Sequence, residues 1–201
     1  ASAPNLNTAR GQFMNSGGTK TSGLVAGGRP GAATTGTADT ETFNGSAWSE
    51  VAEMNTAKRE GGGCGASDTS VIAMGGYKPP GATNSNLTET WNGTGWTETA
   101  ELNTARSYFL GAGIQTSAIA ADGYTTTMVN NVESWNGSAW AEVAETNTTA
   151  DSRCVAGDSN TASLAAGGYY QTGSPTLTTN CEKWDGSSWT EVSELNTAKR
   201  G

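Results

Sequence analysis

The sequence predicts an all-β fold, a four-bladed β-propeller with four antiparallel strands in each blade. The first observation is a repeat, because the stretch Glu89–Arg106 returns with little change at Glu41–Lys58, Glu133–Ala150 and Glu182–Lys199. Its asparagines, with a fifth at Asn7, lie 48, 48, 44 and 49 residues apart, and periods of this size indicate solenoids or propellers. The second observation is seven regularly spaced tryptophans, and the third is a turn dipeptide in every repeat.

The chain of 201 residues is long enough to bury a core, and we expect a single propeller domain over 1–201 with no internal boundary. The predicted repeats span approximately 7–54, 55–102, 103–146 and 147–195, and 196–201 begins a next repeat or forms a closing tail. Only 34% of the residues are apolar, but the regular tryptophans favour a packed protein over a disordered one.

Each repeat opens with a glycine-rich segment that we interpret as the innermost strand, since glycine permits close approach of backbones around an axis. These segments are Gly11–Gly18, Gly61–Ala66, Ser107–Gly113 and Ser152–Gly157. A short apolar run follows and ends in paired glycines, as in Val71–Gly76, with Asp122-Gly123 in the third repeat. Such runs predict second strands that are buried on both faces, between neighbouring sheets.

The next segments vary in length and are rich in Gly, Pro, Thr and Asn, which predicts loops. They are Arg29–Thr40, Tyr77–Thr88, Tyr124–Val132 and Tyr169–Cys181. The third strand then places a Glu and an aromatic residue on one face, as in Glu89 and Trp91. An Asn-Gly or Asp-Gly dipeptide predicts a tight hairpin into a fourth strand that opens with a tryptophan.

This order of elements resembles the kelch motif over nearly the whole chain. The matching features are Gly-Gly after a short apolar strand, Glu-x-aromatic, a turn, a tryptophan and an Arg just past the fourth strand. Two departures are Trp-Asn-Gly, where kelch repeats usually have Tyr-Asp-Pro, and Asp122-Gly123. The copies are also similar to tandem kelch-like arrays of tailed-phage and marine metagenomic proteins.

Kelch propellers usually have six or seven blades, whereas four repeats must span about 90° each or recruit a partner chain to close a ring. The chain starts and stops at the same phase of the repeat, at Leu6–Arg10 and Leu195–Lys199. This phase is expected both for a piece of a longer array and for a complete four-bladed protein without an exchanged strand.

Histidine is absent, which excludes a Ser-His-Asp triad, an imidazole base and the copper ligands of the galactose oxidase type of kelch protein. Each repeat offers three glutamates, but a catalytic pair should be unique. We therefore expect Glu41, Glu89, Glu133 and Glu182 to accept bonds from backbone N–H groups or from basic residues, namely Arg10, Lys58, Arg59 and Arg106. We expect no catalytic residue, no metal site and no cofactor, with a glycoside hydrolase that uses carboxylates near the central channel as the alternative.

Three cysteines show no Cys-x-x-Cys spacing, and we interpret Cys64, Cys154 and Cys181 as small buried side chains. A bridge between Cys154 and Cys181 is an open alternative. Three Asn-Gly-Ser/Thr sequences match the glycosylation sequon, but the hairpin turns already explain them. The tryptophan rows could stack on sugars, although their repetition favours packing between sheets.

The variable loops emerge with the Asn-Thr-Ala-Arg linkers on one face of the propeller, and kelch resemblance implies that this face binds partners. The predicted ligand-binding residues on it are Arg29, Tyr77, Lys78, Tyr124, Tyr169 and Tyr170, because Tyr and Arg combine contact area with polar groups. Ordinary solvated loops are the competing interpretation.

The net charge of −8 argues against a nucleic-acid partner. The sequence contains no run of 18 apolar residues, so we expect no membrane insertion. We expect a non-enzymatic binding or structural module with an extracellular or virion-surface location, such as a tail fibre, decoration or adhesin element. Its partners would be a glycan or a protein, with a homo-oligomer or a larger virion assembly as a further possibility. A pure spacer is the remaining alternative.

Overall fold

The computed structural model describes residues 4–31, 33–81, 83–172 and 174–200, and every regular element in these ranges is a β-strand. The all-β, propeller-like prediction with four-stranded antiparallel sheets is confirmed. No segment of the described chain forms a helix of the length and hydropathy needed to cross a membrane.

The strands follow the repeats closely. The first repeat contains β1 (Arg10–Gly11), β2 (Asn15–Thr19), β3 (Ser22–Ala26), β4 (Arg29–Pro30), β5 (Thr40–Phe43) and β6 (Trp48–Val51). The second contains β7 (Gly62–Ser67), β8 (Ser70–Met74), β9 (Tyr77–Lys78), β10 (Thr83–Asn84), β11 (Thr88–Trp91) and β12 (Trp96–Thr99). The third contains β13 (Leu110–Ile114), β14 (Ser117–Ala121), β15 (Val132–Trp135) and β16 (Trp140–Val143). The fourth contains β17 (Ala150–Asp151), β18 (Cys154–Ser159), β19 (Ala162–Ala166), β20 (Tyr169–Thr172), β21 (Ser174–Leu177), β22 (Cys181–Trp184) and β23 (Trp189–Val192).

Each repeat contributes one four-stranded sheet, which we call a blade. The blades are β2-β3-β5-β6, β7-β8-β11-β12, β13-β14-β15-β16 and β18-β19-β22-β23, in sequence order from the axis outward. The glycine-rich strands β2, β7, β13 and β18 are innermost, and together they line an axial cavity of about 300 Å³. They begin later than predicted, at Asn15 rather than Gly11 and at Leu110 rather than Ser107. The reason is a turn, since Gln12 and Tyr108 have positive φ.

The segments predicted as loops between the second and third strands contain short paired strands in three of the four repeats. β4 pairs with β1, β9 pairs with β10, and β20 pairs with both β17 and β21. In the third repeat, isolated bridges join Tyr124 to Ser107 and to Met128. The prediction of loops was wrong for these stretches, because their backbone N–H and C=O groups find partners in the neighbouring linker, as in β1–β4 and β17–β20, or within the same segment, as in β9–β10 and β20–β21.

Tryptophans pack between the blades, as predicted. Trp91, Trp135 and Trp184 are fully buried, and each lies against the tryptophan across its hairpin with ring centroids 5.3 to 5.5 Å apart. The second tryptophan of the pair reaches the preceding blade. Trp96 Nε1 donates to Thr40 Oγ1 at 3.0 Å, and Trp140 Nε1 donates to Thr88 Oγ1 at 3.1 Å. These side chains therefore bind one blade to the next.

The repeated glutamates anchor the Asn-Thr linkers. Each accepts a backbone N–H from the asparagine of the linker that precedes its blade, at 2.7 Å in all four repeats: Asn7 to Glu41, Asn55 to Glu89, Asn103 to Glu133 and Asn147 to Glu182. Arg10, Lys58 and Arg106 pair with the first three of these glutamates. The structural interpretation of these carboxylates is confirmed, but Arg59 instead pairs with Glu60.

The hairpins between the third and fourth strands are the tight turns expected from sequence. Gly45, Gly93, Gly137 and Gly186 have φ between 93° and 97°. Asn44 Oδ1 accepts from the N–H groups of Ser46 and Ala47 at 3.0 and 2.9 Å. In the fourth hairpin the same bonds, from Ser187 and Ser188, lower the pKa of Asp185 to about 2.

The cysteines are all free. Cys64 and Cys181 are buried as predicted, whereas the prediction for Cys154 was wrong because its side chain is exposed. The inner strands pack in the order β2, β7, β13 and β18, so β18 has a neighbouring inner strand on one side only. Cys154 lies on the other face of the fourth blade, which no other blade covers. Among the described residues no comparable packing joins β18 back to β2.

Candidate binding surface

Three tyrosines form a row on the face where the linkers and variable segments emerge. The rings of Tyr77 and Tyr108 meet edge to face with centroids 5.4 Å apart, and those of Tyr108 and Tyr124 are 6.3 Å apart. All three residues are half-buried, so each ring keeps part of its surface in solvent. We call this group the tyrosine row. It joins Tyr77 and Tyr124, which were predicted as binding residues, through Tyr108, which was not.

Two elements hold the outer tyrosines in place. Tyr77 exchanges backbone hydrogen bonds with Arg59 at 2.8 and 3.1 Å, and Tyr124 exchanges them with Ser107 at 2.8 and 3.0 Å. The glycine before each tyrosine, Gly76 or Gly123, has positive φ and turns the chain onto the linker. A Cβ at Gly76 would lie 2.7 Å from the Arg59 carbonyl oxygen, so this approach requires glycine.

Tyr108 lies two residues before the inner strand β13, in a left-handed conformation with φ of 54°. Its N–H donates to the Glu60 carbonyl at 2.7 Å, which fixes the backbone between two blades. The corresponding residues of the other repeats are Gln12, Glu60 and Ser152, which share the positive φ. This variation within an otherwise regular repeat is the sequence signal that could have identified Tyr108.

A charge pair between half-buried Arg59 and buried Glu60 supports one end of the tyrosine row. The Arg59 guanidinium lies 5.1 Å from the centre of the Tyr77 ring, and its Nη1 is 2.5 Å from Glu60 Oε2. Burial raises the pKa of the Tyr108 hydroxyl, and the negative charge of Glu60, whose carboxylate is within hydrogen-bonding reach of that hydroxyl, raises it further.

Other polar groups near the row lack protein partners. Asn84 pairs with Tyr77 across the β9–β10 hairpin, and its Nδ2 donates to the Thr125 carbonyl at 2.6 Å. Its Oδ1 atom is buried without a hydrogen-bond partner, as is Oγ of Ser107. Buried oxygens of this kind are costly unless they are bonded, and because both are enclosed by protein they lie beneath the row rather than on its exposed surface.

The other predicted residues lie apart from the tyrosine row or at its edge. Lys78 follows Tyr77 and is half-buried, while Arg29 is exposed on β4 of the first blade. Tyr169 lies in the fourth repeat, where the Arg200 guanidinium is 4.6 Å from its ring centre. Tyr170, on β20, pairs with Ala150 on β17. The structure thus divides the six predicted residues among all four repeats.

A second polar cluster lies beneath this face. Asp122 occupies a position that is glycine in the other repeats, with φ of 63°, and accepts a hydrogen bond from Thr146 Oγ1. Its Oδ2 is 3.4 Å from Arg153 Nη1, which also pairs with Glu182. Burial raises the pKa of Asp122 to about 7. The cluster is enclosed and therefore contributes to the interior rather than to the binding surface.

No group of three or more His, Cys, Asp or Glu side chains that could hold a metal ion occurs in the described parts of the chain.

No protein-family model and no curated protein sequence matches the chain. Among solved structures, 162 chains match it. One of them, described as the structure of YjhT, superposes with a TM-score of 0.76 over 95% of this chain and 72% of that one. The identity is 11%, so the likeness supports the propeller-like fold alone.

Proposed function

We propose that this protein is a non-enzymatic binding module that recognises a glycan through the tyrosine row. The observation that carries the proposal is the row of three partly exposed tyrosine rings on the face where the variable segments emerge. Two half-buried polar residues, Arg59 and Asn84, lie beside the row. The arrangement supplies an aromatic platform with polar groups at its edge.

A saccharide matches this chemistry on both counts. Its hydroxyl groups both donate and accept hydrogen bonds, and therefore suit polar side chains at the edge of the row. Its C–H faces pack on aromatic rings, and a tyrosine ring offers an apolar body with a polar end. Because Glu60 already pairs with Arg59, its charge does not call for a cationic ligand.

The binding role is also supported by what the carboxylates do. Glu41, Glu89, Glu133 and Glu182 are buried and bonded to linkers, and the other repeated glutamates are exposed on outer strands. A glycosidase would need a carboxylate pair beside a sugar site, with different environments for its two members. The net charge of −8 favours a partner that is not a nucleic acid.

The proposal also includes the type of repeat and the location of the protein. We infer that the repeats are kelch-like, on the Gly-Gly, Glu-x-aromatic and tryptophan pattern that each of them carries. An extracellular or virion-surface location, as a fibre, decoration or adhesin element, fits a chain of low charge with near-identical repeats and many hydroxyl and amide side chains.

A glycan array probed with the fluorescently labelled protein tests the proposal. Tyr108→Ser is the informative variant, because Ser152 shows that serine adopts the same backbone conformation. We expect a small set of related glycans to bind and Tyr108→Ser or Tyr77→Ala to reduce binding at least ~10-fold, since burying a large apolar side-chain surface contributes about 1.5 to 3 kcal/mol. Tyr169→Ala is the matched control, since Tyr169 has the same place in its repeat but lies outside the row.

Absence of binding across the array, or equal loss in Tyr169→Ala and Tyr77→Ala, would contradict the proposal. Selection of peptides by the same surface, with sensitivity to Tyr108→Ser, would instead assign a protein ligand.

A further inference from the structure

At every internal junction, two successive blades cover each other's facing surfaces. The first and fourth blades each have one such face that no neighbouring blade covers in the described structure. On the fourth blade, Leu164 and Val192 are both 40% exposed. The residues that correspond to Leu164 in the other blades, Leu24, Ile72 and Ile119, are fully buried against the next blade. On the first blade, Phe43 and Trp48 are half-exposed where their counterparts Trp91 and Trp96 are buried. We call these the leading face of the fourth blade and the trailing face of the first.

A ladder of backbone hydrogen bonds around the axis stops at the same two blades. Glu60 N donates to Gln12 O at 3.0 Å, Tyr108 N donates to Glu60 O at 2.7 Å, and Ser152 N donates to Tyr108 O at 2.8 Å. Each bond joins one blade to the next through a residue with positive φ. In the described structure the ladder ends with Gln12 N as its unused donor and Ser152 O as its unused acceptor.

We propose that the leading face of the fourth blade binds the trailing face of the first blade of a second copy of this chain. The junction repeats the contacts between successive blades. Leu164 and Val192 pack against Phe43 and Trp48 of the second copy, and Gln12 N of that copy donates to Ser152 O. A blade of this kind fits these faces, because the exposed groups occupy the same positions as the groups that are buried at the internal junctions.

The polar residues at the two faces are complementary. At internal junctions a serine of the second strand donates to a hairpin residue of the next blade: Ser22 to Asp68 at 2.7 Å, Ser70 to Gln115 at 3.3 Å and Ser117 to Asn160 at 2.9 Å. At the open faces the corresponding residues are Ala162 and Lys20. The ammonium group of Lys20 donates hydrogen bonds but cannot accept one, so a serine hydroxyl could not donate to it. Ala162 has no hydroxyl, so two donors do not face each other at this junction.

In the proposed junction, Lys20 can donate hydrogen bonds to the fourth blade of the other copy, as Gln115 does to the second blade. Gln115 Nε2 donates to the carbonyls of Trp91 and Val71 at 2.6 and 3.0 Å. The carbonyls of Trp184 and Ser163 hold the same places on the fourth blade. Both substitutions therefore preserve a junction between these two faces.

The linkers also match. Leu195–Lys199 repeats Leu6–Arg10 with a single change, of Arg10 to Lys199. Glu41 is held by Asn7 N at 2.7 Å and by Arg10 Nη1 at 3.1 Å. Lys58, at 3.2 Å from Glu89, shows that lysine serves in this position. In the joined state the 195–199 segment of one copy replaces the 6–10 segment of the other at Glu41, because both cannot occupy that site.

Sedimentation velocity and light scattering over a range of protein concentrations test the proposal. We expect the mass to rise from 20.5 kDa toward a multiple of that value, since a head-to-tail contact builds closed rings or open chains. Leu164→Glu should weaken association at least ~10-fold, because it places an unpaired carboxylate in the junction. Leu177→Glu is the control, as Leu177 is 41% exposed on β21, outside the leading face.

Maleimide labelling of the native cysteines gives a second readout. Cys154 is exposed on the leading face, and we expect its labelling to slow as the protein associates, while Leu164→Glu should restore it. A mass of one chain at every concentration, with Cys154 freely labelled, would overturn the proposal. A single-chain mass with Cys154 protected would show closure within one chain and overturn it too. Association that responds to Leu177→Glu but not to Leu164→Glu would place the contact elsewhere.

Discussion

Arg153 Nη1 lies 2.8 Å from Glu182 Oε1, and this pair performs in the fourth blade what Arg106 and Glu133 do in the third. The basic residue of the first three linkers is replaced by Ala150 in the fourth, and Arg153 reaches the glutamate from three residues further along the chain. The repeat therefore conserves a buried cation beside each linker-anchoring glutamate, but not the sequence position that supplies it.

Arg153→Ala should lower the free energy of unfolding by about 3 to 5 kcal/mol, because it leaves the carboxylate of Glu182 buried without its cation. Urea denaturation followed by tryptophan fluorescence measures the change. Lys183→Ala is the control, since Lys183 is exposed, and it should change stability by less than about 0.5 kcal/mol. Equal effects of the two substitutions would show that the pair does not contribute as proposed.

Asp122 should make stability depend on pH near neutrality. Its pKa is raised from 3.8 to about 7 in the folded state, chiefly by burial, so the folded protein binds this proton more tightly than the unfolded chain. The contribution is fully present below about pH 4 and is lost as the pH rises through 7, with a slope of at most about 1.4 kcal/mol per pH unit. Asp122→Asn keeps a polar side chain that tolerates positive φ.

Urea denaturation of both proteins between pH 4 and 8 tests this expectation. The wild-type chain should lose more stability over that range than Asp122→Asn. Parallel pH profiles would exclude Asp122 as the titrating group.

Gly76→Ala should destabilise the second blade strongly. Gly76 has φ of 89°, and a Cβ there would lie 2.7 Å from the Arg59 carbonyl oxygen and 2.9 Å from Met14 Sδ. We expect a loss of about 2 kcal/mol or more, measured by thermal or urea unfolding. Gly95→Ala is the matched control, because a Cβ at Gly95 meets no atom within 4 Å. A comparable loss at both sites would argue against the close approach at Gly76.

The two buried cysteines should resist labelling until the protein unfolds. Burial raises the pKa of the Cys64 thiol to about 12, so the reactive thiolate is scarce at neutral pH while the side chain stays buried. Mass spectrometry after brief maleimide treatment should find label at Cys154, with Cys64 and Cys181 labelled only in denaturant. Early labelling of Cys64 would indicate that the junction between the second and third blades opens readily.

Much of the candidate surface could not be predicted from sequence. Tyr77 and Tyr124 were identified because tyrosines follow the glycine pairs in repeated positions, but Tyr108 precedes a different strand. Its ring reaches the other two only because linker residues Arg59 and Ser107 bond to the starts of the variable segments. A sequence pattern reports spacing along one chain and carries no information about which linker lies beside which loop.

The sequence by itself determined the local structure of this protein. Asn-Gly and Asp-Gly dipeptides set the hairpins because they accept positive φ, alternation set the face of each Glu and Trp, and the period set the succession of four-stranded sheets. The anchoring role of the repeated glutamates also followed, since a carboxylate that recurs in every unit performs a task that every unit shares.

Only the tertiary structure decided how the repeats meet. It paired short strands within the variable segments, recruited Arg153 to Glu182, assembled the tyrosine row and left Leu164 and Trp48 uncovered on opposite end blades. Apart from the short hairpins β9–β10 and β20–β21, these features depend on contacts between residues about 15 or more positions apart, which are set by packing across blades rather than by the conformational preferences of neighbouring residues.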